Sequence, residues 1–152
     1  MSNDLFYRIL SDFAERLKEL IDENKIDVKT LSKETNIDSS SIYVYLEKKY
    51  LPKLYNLLKI ADYFQVTMDF LLGLEEQNSA SRFLPCPPFS ERFPFLLKNF
   101  GVTKYYLNKK LKIANSLMYY WQIGKKVPTA EHLVLLSKEF HCSIDFILGR
   151  EF

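Results

Sequence analysis

Residues 115–149 read NSLMYYWQIGKKVPTAEHLVLLSKEFHCSIDFILG, and residues 39–73 read SSSIYVYLEKKYLPKLYNLLKIADYFQVTMDFLLG. Laid over one another at an offset of 76, the two stretches agree, and the match runs upstream without gaps to Glu15 and Glu91. About sixteen positions are identical, among them Arg16 with Arg92, Leu31 with Leu107, Tyr43 with Tyr119, Pro52 with Pro128 and Phe64 with Phe140. Apolar character is kept where identity is lost, as in Leu17 and Phe93, Ile42 and Met118, and Tyr45 and Trp121. Agreement of this kind marks an internal repeat.

Within one copy, apolar spacing and stop signals predict helices over residues 15–24, 28–34, 39–47, 53–64 and 68–72. Asp38 and Thr67 suit N-caps, Pro52 precedes the fourth helix and Gly73 ends the fifth. In the second copy Thr129 and Ser143 take the corresponding caps, and Gly124 ends the third helix where Lys48 stands in the first. No alternating β-branched run flanked by hairpin turns gives strands any support. Upstream, Leu5, Phe6, Ile9, Leu10 and Phe13 run in phase with Leu17, Leu20 and Ile21. The first helix is therefore extended or preceded by another, which caps the first domain or offers a dimer contact. Between the copies, LEEQNSASRFLPCPPF forbids helix through its Pro-Cys-Pro-Pro cluster and favours an extended path. Phe83 and Leu84 are its candidates for anchoring against a domain. The expected fold is all-α, with a first domain and its N-terminal helical extension over 1–73, a linker over 74–89 and a second domain over 90–152.

Composition agrees with a chain that buries a core: 47% is apolar and 26% charged. Apolar runs are too short to cross a bilayer and the polar start lacks a secretory signal, so a cytoplasmic location without a membrane partner is expected. Cys86 and Cys142 have no second cysteine or histidine pair at metal-ligand spacing, which argues against a disulfide framework and a zinc site. Divided after Ala80, the chain has 10 Lys+Arg against 14 Asp+Glu before the cut and 11 against 5 after it, giving −4 and +6. Such asymmetry points to polyanion binding by the second half.

Two copies of five helices at this spacing resemble the Cro and lambda-repressor type of helix-turn-helix family over about 120 residues. SLMYYWQIGKKVPT resembles that family's recognition helix, aromatic core residue, Gly-Lys turn and Pro-Ser/Thr cap, while SIYVYLEKKYLPK is a degraded version. VTMDFLLG and CSIDFILG fit its ending. The resemblance implies two tandem five-helix domains whose second helix crosses the DNA backbone and whose third enters the major groove. Carried onto the second copy, it implies helices over 104–110 and 115–123 joined through Leu111, Lys112 and Ile113. Leu107, Ile113, Met118 and Trp121 would be buried, and Asn115, Ser116, Tyr119 and Tyr120 would face double-stranded DNA. Asn can pair bidentately with adenine, and hydroxyls can reach bases or phosphates. Lys104, Lys112, Lys125 and Lys126 would flank this face and supply salt-sensitive attraction. Against the family's pattern stand Lys104 for glutamine, Asn108 for a small alanine and Lys112 for a turn glycine.

In the first copy the outward positions are Ser39, Ser40, Tyr43, Val44 and Glu47. Ser39, Ser40, Tyr43 and Lys49 are its DNA-contact candidates, but Glu47 would face phosphate unfavourably, softened only by Lys29, Lys48, Lys49 and Lys53. This copy is expected to keep the fold and to have shifted towards protein contact, in a homodimer or with another partner. Trp121 and the tyrosines could be stacking platforms for single strands, but Trp121 and Tyr45 occupy matched inward positions. His132 and His141 have no ligand company, and no phosphate loop or catalytic motif occurs. No cofactor, metal or enzymatic site is expected. The function expected is a DNA-binding transcriptional regulator, in style a repressor. The alternative is an antitoxin-like or antirepressor-like adaptor that binds protein and touches DNA weakly or never.

Overall fold

The computed structural model describes residues 3–79 and 82–151. Among these there are ten α-helices and no strand, and the chain divides into compact units over Ser2–Ala80 and Ser81–Phe152. The N-terminal unit holds α1 (Asn3–Glu23), α2 (Val28–Thr35), α3 (Ser39–Leu46), α4 (Leu54–Phe64) and α5 (Met68–Leu71). The C-terminal unit holds α6 (Phe89–Phe100), α7 (Lys104–Leu111), α8 (Asn115–Gln122), α9 (Ala130–Phe140) and α10 (Ile144–Leu148). The bounds of α7, α8 and α9 are those of α2, α3 and α4 moved by 76 residues.

In the N-terminal unit α1 is one unbroken helix. Its apolar stripe is buried at Ile9, Leu10, Phe13, Leu17, Leu20 and Ile21 and half-buried at Leu5 and Phe6, and the upstream segment extends the first helix and does not form a separate one. Asp27 accepts from Thr30 N at 2.7 Å and opens α2, a cap the spacing of apolar residues did not reveal. That hydrogen bond, from a fully exposed position, holds the Asp27 carboxyl below its ordinary pKa. Asp38, expected to cap α3, sits at the cap position but makes no side-chain cap bond. Thr67, Thr129 and Ser143 all cap through their hydroxyls.

The Arg16 and Arg92 pair of the repeat has a shared structural use. The Arg16 guanidinium lies 3.8 Å from the Phe70 ring centroid and donates to the Glu75 carbonyl at 3.3 Å. Arg92 donates to the Phe146 carbonyl, which also accepts from Gly149 N at 3.1 Å, and, at 3.2 Å, to that of Ile147, bracing the end of α10. Burial presses the Arg92 pKa below its ordinary value.

The segment expected to be a linker is fastened at both ends. Asn78 accepts from Thr67 N and donates to the Gln65 carbonyl, each at 3.0 Å, in the N-terminal unit. In the C-terminal unit Leu84 N donates to the Arg150 carbonyl at 2.7 Å, and the Arg150 guanidinium lies 3.6 Å from the Phe83 ring centroid. Phe83 and Leu84 therefore do anchor. α6 begins at Phe89, which is buried, so helix starts at the last residue of the segment read as linker. Arg150 also pairs with Asp145 at 2.8 Å, with side chains only 1% and 0% exposed. Deleting one partner of such a pair strands a buried charge. Arg150→Met is expected to cost about 3 kcal/mol in urea unfolding followed on Trp121, the single tryptophan. A loss too small to measure would show that water reaches Asp145 when its partner goes.

Candidate nucleic-acid interface

The roll of α8 is set by what it buries. Met118 and Trp121 are fully buried, and the Trp121 ring meets Phe89, Phe93 and His132 edge-on at centroid distances of 5.5, 5.2 and 5.7 Å. On a helix of 3.6 residues per turn, an inward stripe at 118 and 121 turns 115, 116 and 119 away from the core. Asn115, Ser116 and Tyr119 are exposed accordingly, and Tyr120 is half-buried. Burial also lowers the His132 pKa, so its neutral form is favoured beside Trp121.

The approach to α8 is a tight turn. Lys112 adopts a left-handed backbone (φ +60°), as does Asn36 at the matched position (φ +58°). A neighbouring side chain locks each turn: Asn108 Nδ2 donates to the Ile113 carbonyl at 2.8 Å, and Ser32 Oγ to that of Ile37 at 2.6 Å. Two of the three residues that set the second copy apart from the pattern it resembles thus lie on one small structure. Asn108 ties the turn and Lys112 makes it, at the strain a side chain costs in this conformation.

The cations divide by company. Lys104 Nζ donates to Gln122 Oε1 at 3.0 Å, linking the start of α7 to the end of α8. Lys112, Lys125 and Lys126 are exposed with no carboxylate partner among the described residues, and Lys126 Nζ stands 5.2 Å from the Tyr120 ring centroid. Tyr106 donates to Glu139 at 2.6 Å, which raises its pKa, and Lys110 reaches the same carboxylate at 3.8 Å. Tyr105 is left 71% exposed, with Lys109 Nζ 5.5 Å from its ring centroid. It is a further candidate, one of the tyrosines whose type alone suits stacking.

In the N-terminal unit Ser39, Ser40 and Tyr43 are likewise exposed on α3. Here, however, the two lysines that follow α3 are engaged. Lys49 pairs with Glu47 at 2.8 Å, a hydrogen bond that raises the lysine pKa, and Lys48 donates to Glu15 at 3.1 Å and Ser11 at 3.0 Å. Asp38 adds a carboxyl at the start of α3 where α8 has Ala114.

A helix-turn-helix domain family matches this chain over residues 14–76. The match supports a helix-turn-helix family, through α1 to α5, and falls on the copy whose motif is the more degraded. No curated protein and no solved structure matches the chain significantly. No helix among the described residues is long and apolar enough to cross a membrane.

If the left-handed turn is strained, Lys112→Gly will raise the stability of the C-terminal unit by about 0.5–1 kcal/mol. Asn108→Ala will lower it by about 1 kcal/mol. Urea titrations followed on Trp121 fluorescence measure both, and a destabilised Lys112→Gly would reverse the assignment of strain.

Proposed function

We propose that the protein is a DNA-binding transcriptional regulator, in style a repressor, that reads double-stranded DNA with its C-terminal unit and makes protein contacts with its N-terminal unit. The observation that carries the reading is the unequal company of the lysines beside α8 and those that follow α3. Lys112, Lys125 and Lys126 keep their charges beside the outward face of α8, whereas Lys48 and Lys49 are neutralised by Glu15 and Glu47. Exposed ion pairs of this kind add little stability, but a carboxylate beside each ammonium removes the attraction that phosphate binding needs.

In this reading Asn115, Ser116, Tyr119 and Tyr120 meet bases and phosphates, and Lys104, Lys112, Lys125 and Lys126 hold the backbone. Ser39, Ser40, Tyr43 and Lys49 contribute little or nothing to DNA. The chain also associates with a second copy as a homodimer, through its N-terminal unit. The helix-turn-helix match supports the class of the reading. The rival adaptor reading is favoured by one observation, the acidic surroundings of α3.

Selection from a pool of random duplexes, followed by titration of the enriched sequence at several salt concentrations, tests it. Asn115→Ala is expected to cost about 1–3 kcal/mol and to relax preference at one base pair. Lys125→Ala should weaken all duplexes alike and reduce the salt slope by about 0.9. Tyr43→Ala should change neither. No enrichment and no salt-dependent binding would overturn the regulator in favour of the adaptor.

A further inference from the structure

The N-terminal unit carries a groove of about 720 Å³ between α1, the start of α2 and α3. Its apolar lining includes Ile21, Ile26 and Leu46, and exposed Asp22, Asp27 and Glu47 stand around it, Glu47 already paired with Lys49 at 2.8 Å. Of its two lysines, Lys48 is already held by Glu15 and Ser11. The groove is thus apolar within and acidic at its edge, and it includes Tyr43 and Glu47 of α3. A phosphate backbone is a poor occupant, since it offers negative charge and little apolar surface.

The C-terminal unit presents the complementary shape of chemistry on the loop after α8. Ile123 and Val127 are 45% and 51% exposed, and they bracket Lys125 and Lys126. The loop is held in form: Gly124 takes φ +77°, and the amides of Lys125 and Lys126 donate to the Tyr120 carbonyl at 2.9 and 3.3 Å. Two apolar side chains stand in water beside two ammonium groups without carboxylate partners. Residues up to Ala80 carry a net −4 and those after it a net +6.

We infer that the groove of one chain receives the Ile123–Val127 loop of a second copy, Ile123 and Val127 entering the apolar lining and Lys125 and Lys126 meeting Asp22, Asp27 and Glu47. The inference rests on the reading of the N-terminal unit as a protein-contact surface and names its partner. Where both chains make the contact reciprocally, the pair has two-fold symmetry. The lysines that enter the groove are those proposed to hold phosphate. Self-association and DNA binding therefore compete, and the DNA-free chain masks part of its own basic face.

Sedimentation of the full chain over a concentration series at low salt tests this, with circular dichroism and Trp121 fluorescence confirming that each variant is folded. The wild type is expected to pass from one chain to two, and added salt should weaken the step. The groove reversal Asp22→Lys/Glu47→Lys and the loop reversal Lys125→Glu/Lys126→Glu should each weaken association at least tenfold. Combining all four changes in one chain should restore it, because the charges again oppose. A single-chain mass at every concentration overturns the inference. If the groove reversal weakens association and the loop reversal does not, the loop is the wrong occupant while the protein-contact reading of the N-terminal unit stands. If the wild type pairs and neither reversal has an effect, both are overturned.

Discussion

Everything displayed on α8 depends on where Trp121 is held. Its indole is wedged among Phe89 and Phe93 of α6 and His132 of α9, with no exposed surface, and edge-to-face contacts of this kind add to the burial of a large ring. A helix of two turns has little stability of its own. The aromatic wedge fixes both the position and the roll of α8, and so determines that Asn115, Ser116 and Tyr119 look outward. The N-terminal unit solves the same problem with other residues: Tyr45 packs against Phe13 at 6.2 Å and accepts from Asn56 at 3.0 Å through its hydroxyl. Tyr with Asn and Trp with His are matched pairs, one satisfied by a hydrogen bond and the other by ring contacts. The second solution leaves the buried Trp121 Nε1 without a hydrogen-bond partner. Such a donor costs about 1–3 kcal/mol, so the aromatic cluster must offset it.

A second constraint acts at the turns. Lys48 and Gly124 end matched helices with φ of +61° and +77°, and Asn36 and Lys112 do so at +58° and +60°. Only one of these four positions is glycine. The repeat therefore preserves backbone geometry more strictly than the residue that would adopt it most easily. Where strain is accepted, a side chain from the preceding helix compensates, Ser32 in one unit and Asn108 in the other.

The repeat made most of the fold legible. Apolar periodicity and the offset of 76 located the helices to within about two residues, because buried stripes and caps are local signals. What stayed hidden was which side chain finds which partner. The hydrogen bond from Asn108 to the Ile113 carbonyl could not be inferred from a residue that only broke a pattern. The Arg150–Asp145 pair joins a familiar ending to an arginine outside the repeat, and no periodicity announces it. Asp38 suits a cap of α3 by type but makes no side-chain cap bond, whereas Asp27 caps α2, since residue type permits capping and backbone direction decides it. At the candidate site, exposure on α3 and α8 was legible from helix geometry. The pairing of Lys48 with Glu15, 33 positions away, was not.

That distinction bears on why the helix-turn-helix match lies over residues 14–76 while the exposed Lys112, Lys125 and Lys126 flank α8. A family pattern is dominated by positions that pack: Leu17, Leu31, Ile42, Leu57 and Leu71 are fully buried in the N-terminal unit. Those positions specify how helices meet, and they are insensitive to which charges stand outside. Exposed positions can change sign at small cost in stability, so Glu47 can stand where the other copy has Ile123 and Asp38 where it has Ala114. A duplicated fold can in this way keep one architecture and divide the labour of its surfaces. The copy that retains the more recognisable packing need not be the copy whose surface suits a polyanion.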